Sequence, residues 1–322
     1  MPFASRLTGD ASLSRRPMRR IASPLRKMGA DIQLTDGYAP ILIEPVGALR
    51  AITYPLPIAS AQVKSCVLLA GLFADGPTTV VENMPSRDHT ERMMGLSVEQ
   101  TGTKRRITVE PGMDLPSGSV SIPADFSAAA FFIIAALTVP GSSLLLENVG
   151  INPTRSALLD VLREMGGSIE LKRKRIEGRE PVANLEVRHS RLSGISVDPV
   201  LVPNLIDEFP ALLVAASQAS GKTRITGAEE LRHKETDRLL AMASNLSALG
   251  AHVDELPDGI SIEGGHTLVG TSVDAFDDHR IAMAMGIAGL LAEGKTTIVG
   301  AESAAVSFPG FWEELEQLTI NN

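Results

Sequence analysis

The fold is decided by the stretch from Asp278 to Gly300, DHRIAMAMGIAGLLAEGKTTIVG. An aspartate stands where a helix N-cap is expected, a run of small and aliphatic residues follows, and Gly294 precedes an end rich in Thr, Ile and Val. This order predicts a helix that is apolar nearly all round, and therefore buried, followed by a β-strand.

The same pattern occurs three more times, which indicates an internal repeat. The further copies are Ser60 to Glu82, Asp125 to Glu147 and Asp207 to Gly227. Each copy is followed by a second segment with apolar residues three and four apart, as in Thr154 to Leu171, and then by another strand-like run. The glycines expected to cap the first helices at their C-termini are Gly76, Gly141, Gly221 and Gly294.

The repeat predicts an α/β protein of βαβαββ units in two domains, each with its helices inside and its sheets outside. The boundary is expected before the second copy, which gives an N-terminal domain of residues 1–121 and a C-terminal domain of residues 122–322. The chain opens within a unit, at a second helix predicted from Arg16 onward. The first domain is therefore expected to be incomplete.

Composition narrows the functional classes. With 30 Lys and Arg against 38 Asp and Glu the net charge is −8, and aromatic residues make up 4%, which argues against a nucleic-acid partner. No apolar stretch reaches the roughly 18 residues of a membrane span. The single cysteine, Cys66, excludes an intramolecular disulfide and a cysteine-cluster metal site, and it is expected to be a core thiol. A cytoplasmic enzyme is predicted, although the arginine-rich segment Met1 to Ile21 also fits a transit peptide.

The stretch Gly289 to Thr296 matches the phosphate-loop pattern G-x-x-x-x-G-K-[ST]. In a phosphate loop a strand comes first and a helix follows, so that the helix N-terminus faces the phosphates. Here the predicted helix comes first. The match is therefore interpreted as a helix end and not as a nucleotide site.

Polar and charged residues gather where helices are predicted to begin. Helix N-termini favour anions, although N-capping alone would explain the serines and aspartates found there. The second helices begin with cationic clusters, in one of which Lys234 and Arg238 are predicted to share a helical face beside Glu235. A solvated charged face is the alternative. Together with Asp207 these groups would form a cleft suited to a phosphorylated dianion and to proton transfer.

Seven motifs in these regions resemble the 5-enolpyruvylshikimate-3-phosphate synthase family, in the family's order and across almost the whole chain. They are LTGDASLSRRPM (7–18), SAQVKS (60–65), RDHTERM (87–93), IDEFP (206–210), RHKETDRL (232–239), DHRIAM (278–283) and SFPGFW (307–312). The resemblance implies two domains of βαβαββ units, with the active site in the cleft between them.

The resemblance also implies transfer of the enolpyruvyl group of phosphoenolpyruvate to the 5-hydroxyl of shikimate 3-phosphate, a step of aromatic amino-acid biosynthesis that uses neither metal nor organic cofactor. Asp207 would accept the hydroxyl proton and Glu235 would deliver a proton to the methylene carbon. The residues expected by motif to bind shikimate 3-phosphate are Ser60, Ala61, Gln62, Ser86, Arg87, Asp207 and Lys234. Those expected to bind phosphoenolpyruvate are Arg16, Arg238 and Arg280, with Gln62 reaching both substrates.

Two family motifs that precede RRPM, K-S-x-S-x-R and N-A-G-T, do not occur in this sequence. A complementary N-terminal polypeptide carrying them is therefore expected as a partner, or else the sequence is part of a longer chain. Two other hypotheses stay open. One is a UDP-N-acetylglucosamine enolpyruvyl transferase, which the position of Cys66 within a predicted helix disfavours. The other is an inactive or merely phosphate-binding relative.

Overall fold

The computed structural model describes residues 3–320; Met1 and Pro2, at the head of the arginine-rich segment, and Asn321 and Asn322 lie outside this range. The chain forms two compact units that divide between Val120 and Ser121. The sequence placed the domain boundary one residue further on. No helix in the described range is long and apolar enough to cross a membrane.

Within the residues that the structure describes, unit 1 contains two sheets. Its strands are β1 (Ser5–Leu7), β2 (Asp31–Thr35), β3 (Tyr38–Glu44), β4 (Thr53–Pro55), β5 (Thr78–Glu82), β6 (Val98–Thr101) and β7 (Lys104–Val109). Its helices are α1 (Ala11–Ser14), α2 (Arg19–Lys27), α3 (Ala61–Gly71) and α4 (His89–Met94). The sheet orders are β1-β3-β2 and β4-β5-β7-β6; β4 and β5 are parallel, and the other pairs are antiparallel.

Unit 2 repeats this plan. Its strands are β8 (Ser143–Gly150), β9 (Ser168–Glu177), β10 (Glu180–Arg188), β11 (Ser196–Val197), β12 (Gly221–Ile225), β13 (His252–Leu256), β14 (Gly259–Gly264), β15 (Leu268–Val269), β16 (Ser272–Asp274), β17 (Ala292–Glu293) and β18 (Thr297–Val299). Its helices are α5 (Phe126–Thr138), α6 (Ala157–Glu164), α7 (Phe209–Gln218), α8 (Arg238–Ala248), α9 (His279–Leu291) and α10 (Phe311–Ile320). Three 3-10 helices are Pro199–Asn204, Glu229–His233 and Ala301–Val306.

The order β11-β12-β14-β13 is the same as β4-β5-β7-β6, and the first two strands are again parallel. Another sheet of unit 2 has the order β8-β10-β9, and Ala124 forms a parallel bridge to Val149 at its edge. The predicted βαβαββ repeat is therefore confirmed.

The core of unit 2 is formed by α5, α7 and α9, which pack against one another. Because their residues are small or aliphatic on nearly every side, each helix can be buried all round, as predicted. Helix α3 of unit 1 differs: it packs on α2 and β5, while Leu69 on the helix and Phe73 just beyond it are 47% and 76% exposed. The prediction of full burial is therefore wrong for α3.

Several predicted helix ends are displaced. Helix α2 begins at Arg19 and not at Arg16, so Arg15 and Arg16 lie in the turn that precedes it. The repeat glycines are not helix C-caps, because the helices end two or more residues before them. Gly141, Gly221 and Gly294 instead have φ between +80° and +89° and turn the chain toward the next strand. The helix-before-strand order around Gly294 is as predicted.

Two glycines mark the repeat within unit 2. Gly194 stands against the backbone of Lys222, and Gly270 stands against the backbone of Lys295; a Cβ on either glycine would lie 2.5 or 2.6 Å from a backbone carbon or oxygen. The Gly194 N–H donates to the Ser220 carbonyl at 2.8 Å, and the Gly270 N–H donates to the Glu293 carbonyl at the same distance. The GKT sequences at 221–223 and 294–296 therefore occupy equivalent places in the fold.

Candidate active site

In unit 1 the predicted substrate residues lie at the N-terminus of α3 and in the loop before α4. Ser60 is the N-cap of α3: its backbone is extended, and its hydroxyl accepts from the Val63 N–H at 3.4 Å. Ala61 and Gln62 follow in the first turn of the helix, where Ala61 is half-buried. This N-terminus has the free N–H groups and partial positive charge that favour an anion.

A buried ion network joins α3 to Ser86. The ammonium of Lys64 contacts Glu82 Oε1 at 3.0 Å and Glu91 Oε1 at 2.6 Å, and it donates to the Ser86 carbonyl at 3.4 Å. Glu82 in turn accepts from both the N–H and the hydroxyl of Ser86, and Arg105 approaches its other oxygen at 3.5 Å. Lys64 is 0% exposed, so its three ammonium hydrogens serve the structure of this loop and not a ligand.

Arg16 and Arg87 were predicted to bind substrates. Arg87 is half-buried and follows Ser86 in the loop, two residues before α4 begins. Arg16 is exposed in the turn between α1 and α2. The network that holds Ser86 also fixes the start of the segment that carries Arg87.

In unit 2 four of the five predicted site residues come together. Asp207 faces three guanidinium groups: Arg238 at 3.8 Å, and Arg155 and Arg280 at 3.9 Å each. Asp207 immediately precedes Glu208, which is the N-cap residue of α7 but makes no capping hydrogen bond with its side chain. Both acidic side chains are therefore directed to the arginines.

Arg238 connects the two candidate proton-transfer groups. It is 1% exposed; Nε donates to Asp278 at 2.8 Å, and one terminal nitrogen donates to Glu235 at 2.8 Å. Its other terminal nitrogen is the one that faces Asp207. One buried arginine thus contacts both Asp207 and Glu235, and its contact with Asp207 is the longer of the two.

Arg280 lies at the start of α9, where Asp278 is the N-cap and accepts from the Arg280 N–H at 2.9 Å. Its guanidinium donates to the Asp207 carbonyl at 2.9 Å. Burial lowers the pKa of Arg280, against the opposing effect of Asp207 and Glu208. Burial and the neighbouring Arg280 likewise lower the pKa of His279, which favours a neutral imidazole at neutral pH.

Lys234 is not on a helical face with Arg238, so that prediction is wrong. Asp237 has extended backbone and accepts from the Leu240 N–H at 3.1 Å, so α8 begins only at Arg238. Lys234 ends the preceding 3-10 helix and pairs with the exposed Glu230 at 2.9 Å.

Cys66 is half-buried within α3 and is not a full member of the core, which corrects the prediction of a core thiol. Burial raises the pKa of the thiol, so it is protonated at neutral pH and is a poor nucleophile.

The sequence interpretation missed Arg155, Glu208 and Lys64. Arg155 stands in the loop before α6, and its guanidinium donates to Glu208 at 2.8 Å. Burial acts to lower the pKa of Arg155, but Glu208, Asp207 and Asp125 outweigh it and raise the value. For Lys64 a signal was present, since it is the one charged residue of α3 and a buried lysine requires an acidic partner.

Comparison with solved structures finds proteins that have the same fold. A structure described as EPSP synthase from Acinetobacter baumannii superposes with a TM-score of 0.88 at 45% identity, covering 98% of this chain and 74% of that one. A second structure of the A. baumannii enzyme has a TM-score of 0.86. The repeated fold, with arginines and carboxylates gathered at helix N-termini, is that of an enolpyruvyl transferase.

Sequence comparison identifies the family within the enolpyruvyl transferases. The family profile described as EPSP synthase (3-phosphoshikimate 1-carboxyvinyltransferase) matches residues 1–315. A 3-phosphoshikimate 1-carboxyvinyltransferase of Salinibacter ruber is 57% identical over 322 residues, 99% of this chain and 75% of the relative. One from Carboxydothermus hydrogenoformans is 49% identical over 324 residues, again 99% of this chain and 75% of the relative. The chain belongs to the EPSP synthase family.

The predicted function, enolpyruvyl transfer in the shikimate pathway, is confirmed by this membership. The comparisons favour neither the UDP-N-acetylglucosamine enzyme nor an inactive relative. They also give no support to a complementary N-terminal polypeptide.

Proposed function

We propose that Asp207 and Glu235 are the proton-transfer groups of the reaction. The observation that supports this is the position of Arg238, which faces Asp207 at 3.8 Å and donates to Glu235 at 2.8 Å. Two carboxylates held at one buried cation suit a reaction that removes a proton at one atom and adds one at another.

The reaction of the family then implies the following chemistry for these residues. The 5-hydroxyl oxygen of shikimate 3-phosphate bonds to C2 of phosphoenolpyruvate as Asp207 takes the hydroxyl proton and Glu235 protonates C3. Loss of phosphate and of a C3 proton from this tetrahedral intermediate then regenerates the carbon–carbon double bond in the product. Positive charge develops at C2 on protonation, and neighbouring carboxylates stabilise it.

We propose that Arg16, Arg238 and Arg280 bind phosphoenolpyruvate. Arg280 has a single short contact in the described structure, with the Asp207 carbonyl, so it retains N–H groups to donate to an anion. Arg238 contributes the terminal nitrogen that faces Asp207.

In this proposal the helix N-terminus and loop of unit 1 bind shikimate 3-phosphate, and the family resemblance assigns Asp207 and Lys234 of unit 2 to the same substrate. The Ser86 hydroxyl donates to Glu82, so it must rotate to donate to a phosphate oxygen. Lys234 must exchange the exposed Glu230 for the ligand. The contributing residues of unit 1 are Ser60, Ala61, Gln62, Ser86 and Arg87.

The test is turnover of the Asp207→Ala and Glu235→Ala variants, measured as phosphate release. Each should lower kcat about 10²–10⁴-fold, the usual range for a general acid or base. Asp254→Ala is the matched control, because this carboxylate is 73% exposed and pairs with Lys222, which is not one of the proposed site residues. A kcat within about threefold of the unaltered protein for either variant would contradict the assignment.

The expected N-terminal polypeptide and the cytoplasmic location stay predictions. The first is supported by the exposed apolar residues at α3, Leu69 and Phe73. It is tested by titrating shikimate 3-phosphate into the protein by calorimetry, with and without the part of the Salinibacter relative that this chain does not cover. Equal affinity and equal turnover in both titrations would contradict it.

A further inference from the structure

A buried triad lies behind the candidate proton acceptor. Ser127 is in the first turn of α5, Arg155 is in the loop before α6, and Glu208 precedes α7. Arg155 donates to Glu208 Oε2 at 2.8 Å and to the Ser127 hydroxyl, and Ser127 donates to Glu208 Oε1 at 2.6 Å. Glu208 is 0% exposed, Ser127 4% and Arg155 8%, so the triad is shielded from water.

The triad contacts Arg280 through one oxygen atom. Glu208 Oε1, which accepts from Ser127, is also 3.8 Å from the Arg280 guanidinium. That distance is about 1 Å longer than a charge-assisted hydrogen bond. The negative charge of Glu208 is thus satisfied by Ser127 and Arg155, while Arg280 stands just beyond bonding distance.

We infer that Ser127 and Arg155 are positioning residues that hold Glu208 away from Arg280 and so leave Arg280 able to bind the phosphoenolpyruvate anion. This inference rests on the proposed role of Arg280. A buried carboxylate that loses a donor must find another, because leaving it unsatisfied is costly. When Ser127 or Arg155 is removed, the Arg280 guanidinium, 3.8 Å from Glu208 Oε1, is within reach of that oxygen and is drawn onto Glu208.

The mildest test is Ser127→Ala, since alanine is a good helix former and only the hydroxyl is lost. The Kd or KM for phosphoenolpyruvate should rise about tenfold, the value of one hydrogen bond to a charged group, while that for shikimate 3-phosphate is unchanged. Ser217→Ala is the matched control. Ser217 is a buried serine of α7 whose hydroxyl donates to the Val214 carbonyl at 2.7 Å, and its loss should leave both constants unchanged.

The second test compares a variant that lacks the Arg155 charge with a double variant that also lacks the Glu208 charge. Arg155→Met should raise the Kd or KM for phosphoenolpyruvate more than Ser127→Ala does. Adding Glu208→Gln to Arg155→Met should restore much of the lost affinity, because glutamine carries no charge to attract Arg280. Arg163→Met on the surface of α6 is the control, and thermal unfolding shows whether each variant is folded. Equal weakening of both substrates, or a double variant no better than Arg155→Met, would overturn the inference.

A crystal structure of Ser127→Ala separates the inference from the proposed function. The contact between Arg280 and Glu208 should shorten from 3.8 Å to about 2.8 Å. If the unaltered protein neither binds nor turns over phosphoenolpyruvate, the proposed function is wrong. The distance between Arg280 and Glu208 in the variant still tests whether Ser127 holds the two side chains apart. A contact that stays at 3.8 Å in the variant would overturn it.

Discussion

The replacement of Lys64 by methionine tests the buried network of unit 1. Methionine keeps the apolar stem of the side chain and removes the ammonium that contacts Glu82, Glu91 and the Ser86 carbonyl. Glu82 retains the Ser86 donors and Arg105, but the carboxylate of Glu91, which is 2% exposed, loses the cation it contacts. Removing one partner of a buried ion pair costs about 3–5 kcal/mol.

The effect should be visible in thermal unfolding. Unit 1 has 120 residues. At about 2.1 cal/mol/K per residue, its unfolding entropy is about 0.25 kcal/mol/K, so the Tm of unit 1 should fall by about 12–20 °C. The measurement is calorimetric unfolding at pH 7.5, supported by urea titration.

Lys104→Met is the control, since Lys104 is exposed at the start of β7 and its loss should change the free energy of unfolding by no more than about 0.5 kcal/mol. The double variant Lys64→Met/Glu91→Met removes the orphaned carboxylate and should be at least about 2 kcal/mol more stable than Lys64→Met. A Lys64→Met loss below about 1 kcal/mol, or a double variant as unstable as the single one, would refute the reasoning.

Three further outcomes are expected. Lys295→Ala should leave turnover and substrate binding unchanged, because Lys295 is exposed between β17 and β18; ATP binding that disappears in this variant would reveal a nucleotide site. Iodoacetamide should alkylate Cys66 more slowly than an unfolded cysteine, with the rate still increasing above about pH 8.5, because burial raises the thiol pKa; a plateau below that pH would contradict this. Asp237→Ala should lower the free energy of unfolding by about 1 kcal/mol in urea titration through loss of the α8 N-cap, and no change would mean that the cap contributes nothing.

The repeat was readable from the sequence because it depends on local signals. An apolar run of helix length followed by a β-branched stretch defines its elements without knowledge of tertiary contacts. The same signals fail at helix starts. The N-cap of α2 is Met18, which has no capping side-chain bond, so nothing in the sequence marks Arg19 as the first residue of that helix.

The site was only partly predictable for a physical reason. Asp207, Glu235, Arg238 and Arg280 belong to motifs in which the residue types themselves indicate the chemistry. The partners that hold them do not: Arg155 meets Glu208 only when the loop before α6 reaches the start of α7. The prediction that Lys234 and Arg238 share a helical face assumed that both lie in one helix. Lys234 lies outside α8, because Asp237 is the N-cap and the helix begins only at Arg238.

The equivalence of Gly194 and Gly270 bears on how this chain arose and how it can diverge. Each glycine is required by the close approach of a facing backbone segment, so no compensating side-chain change elsewhere relieves the constraint. Duplication of an ancestral segment would have copied that constraint along with the strands. The two glycines therefore allow the two copies to be aligned even where the surrounding side chains differ. Alanine at either position should be absent from variants selected for folding.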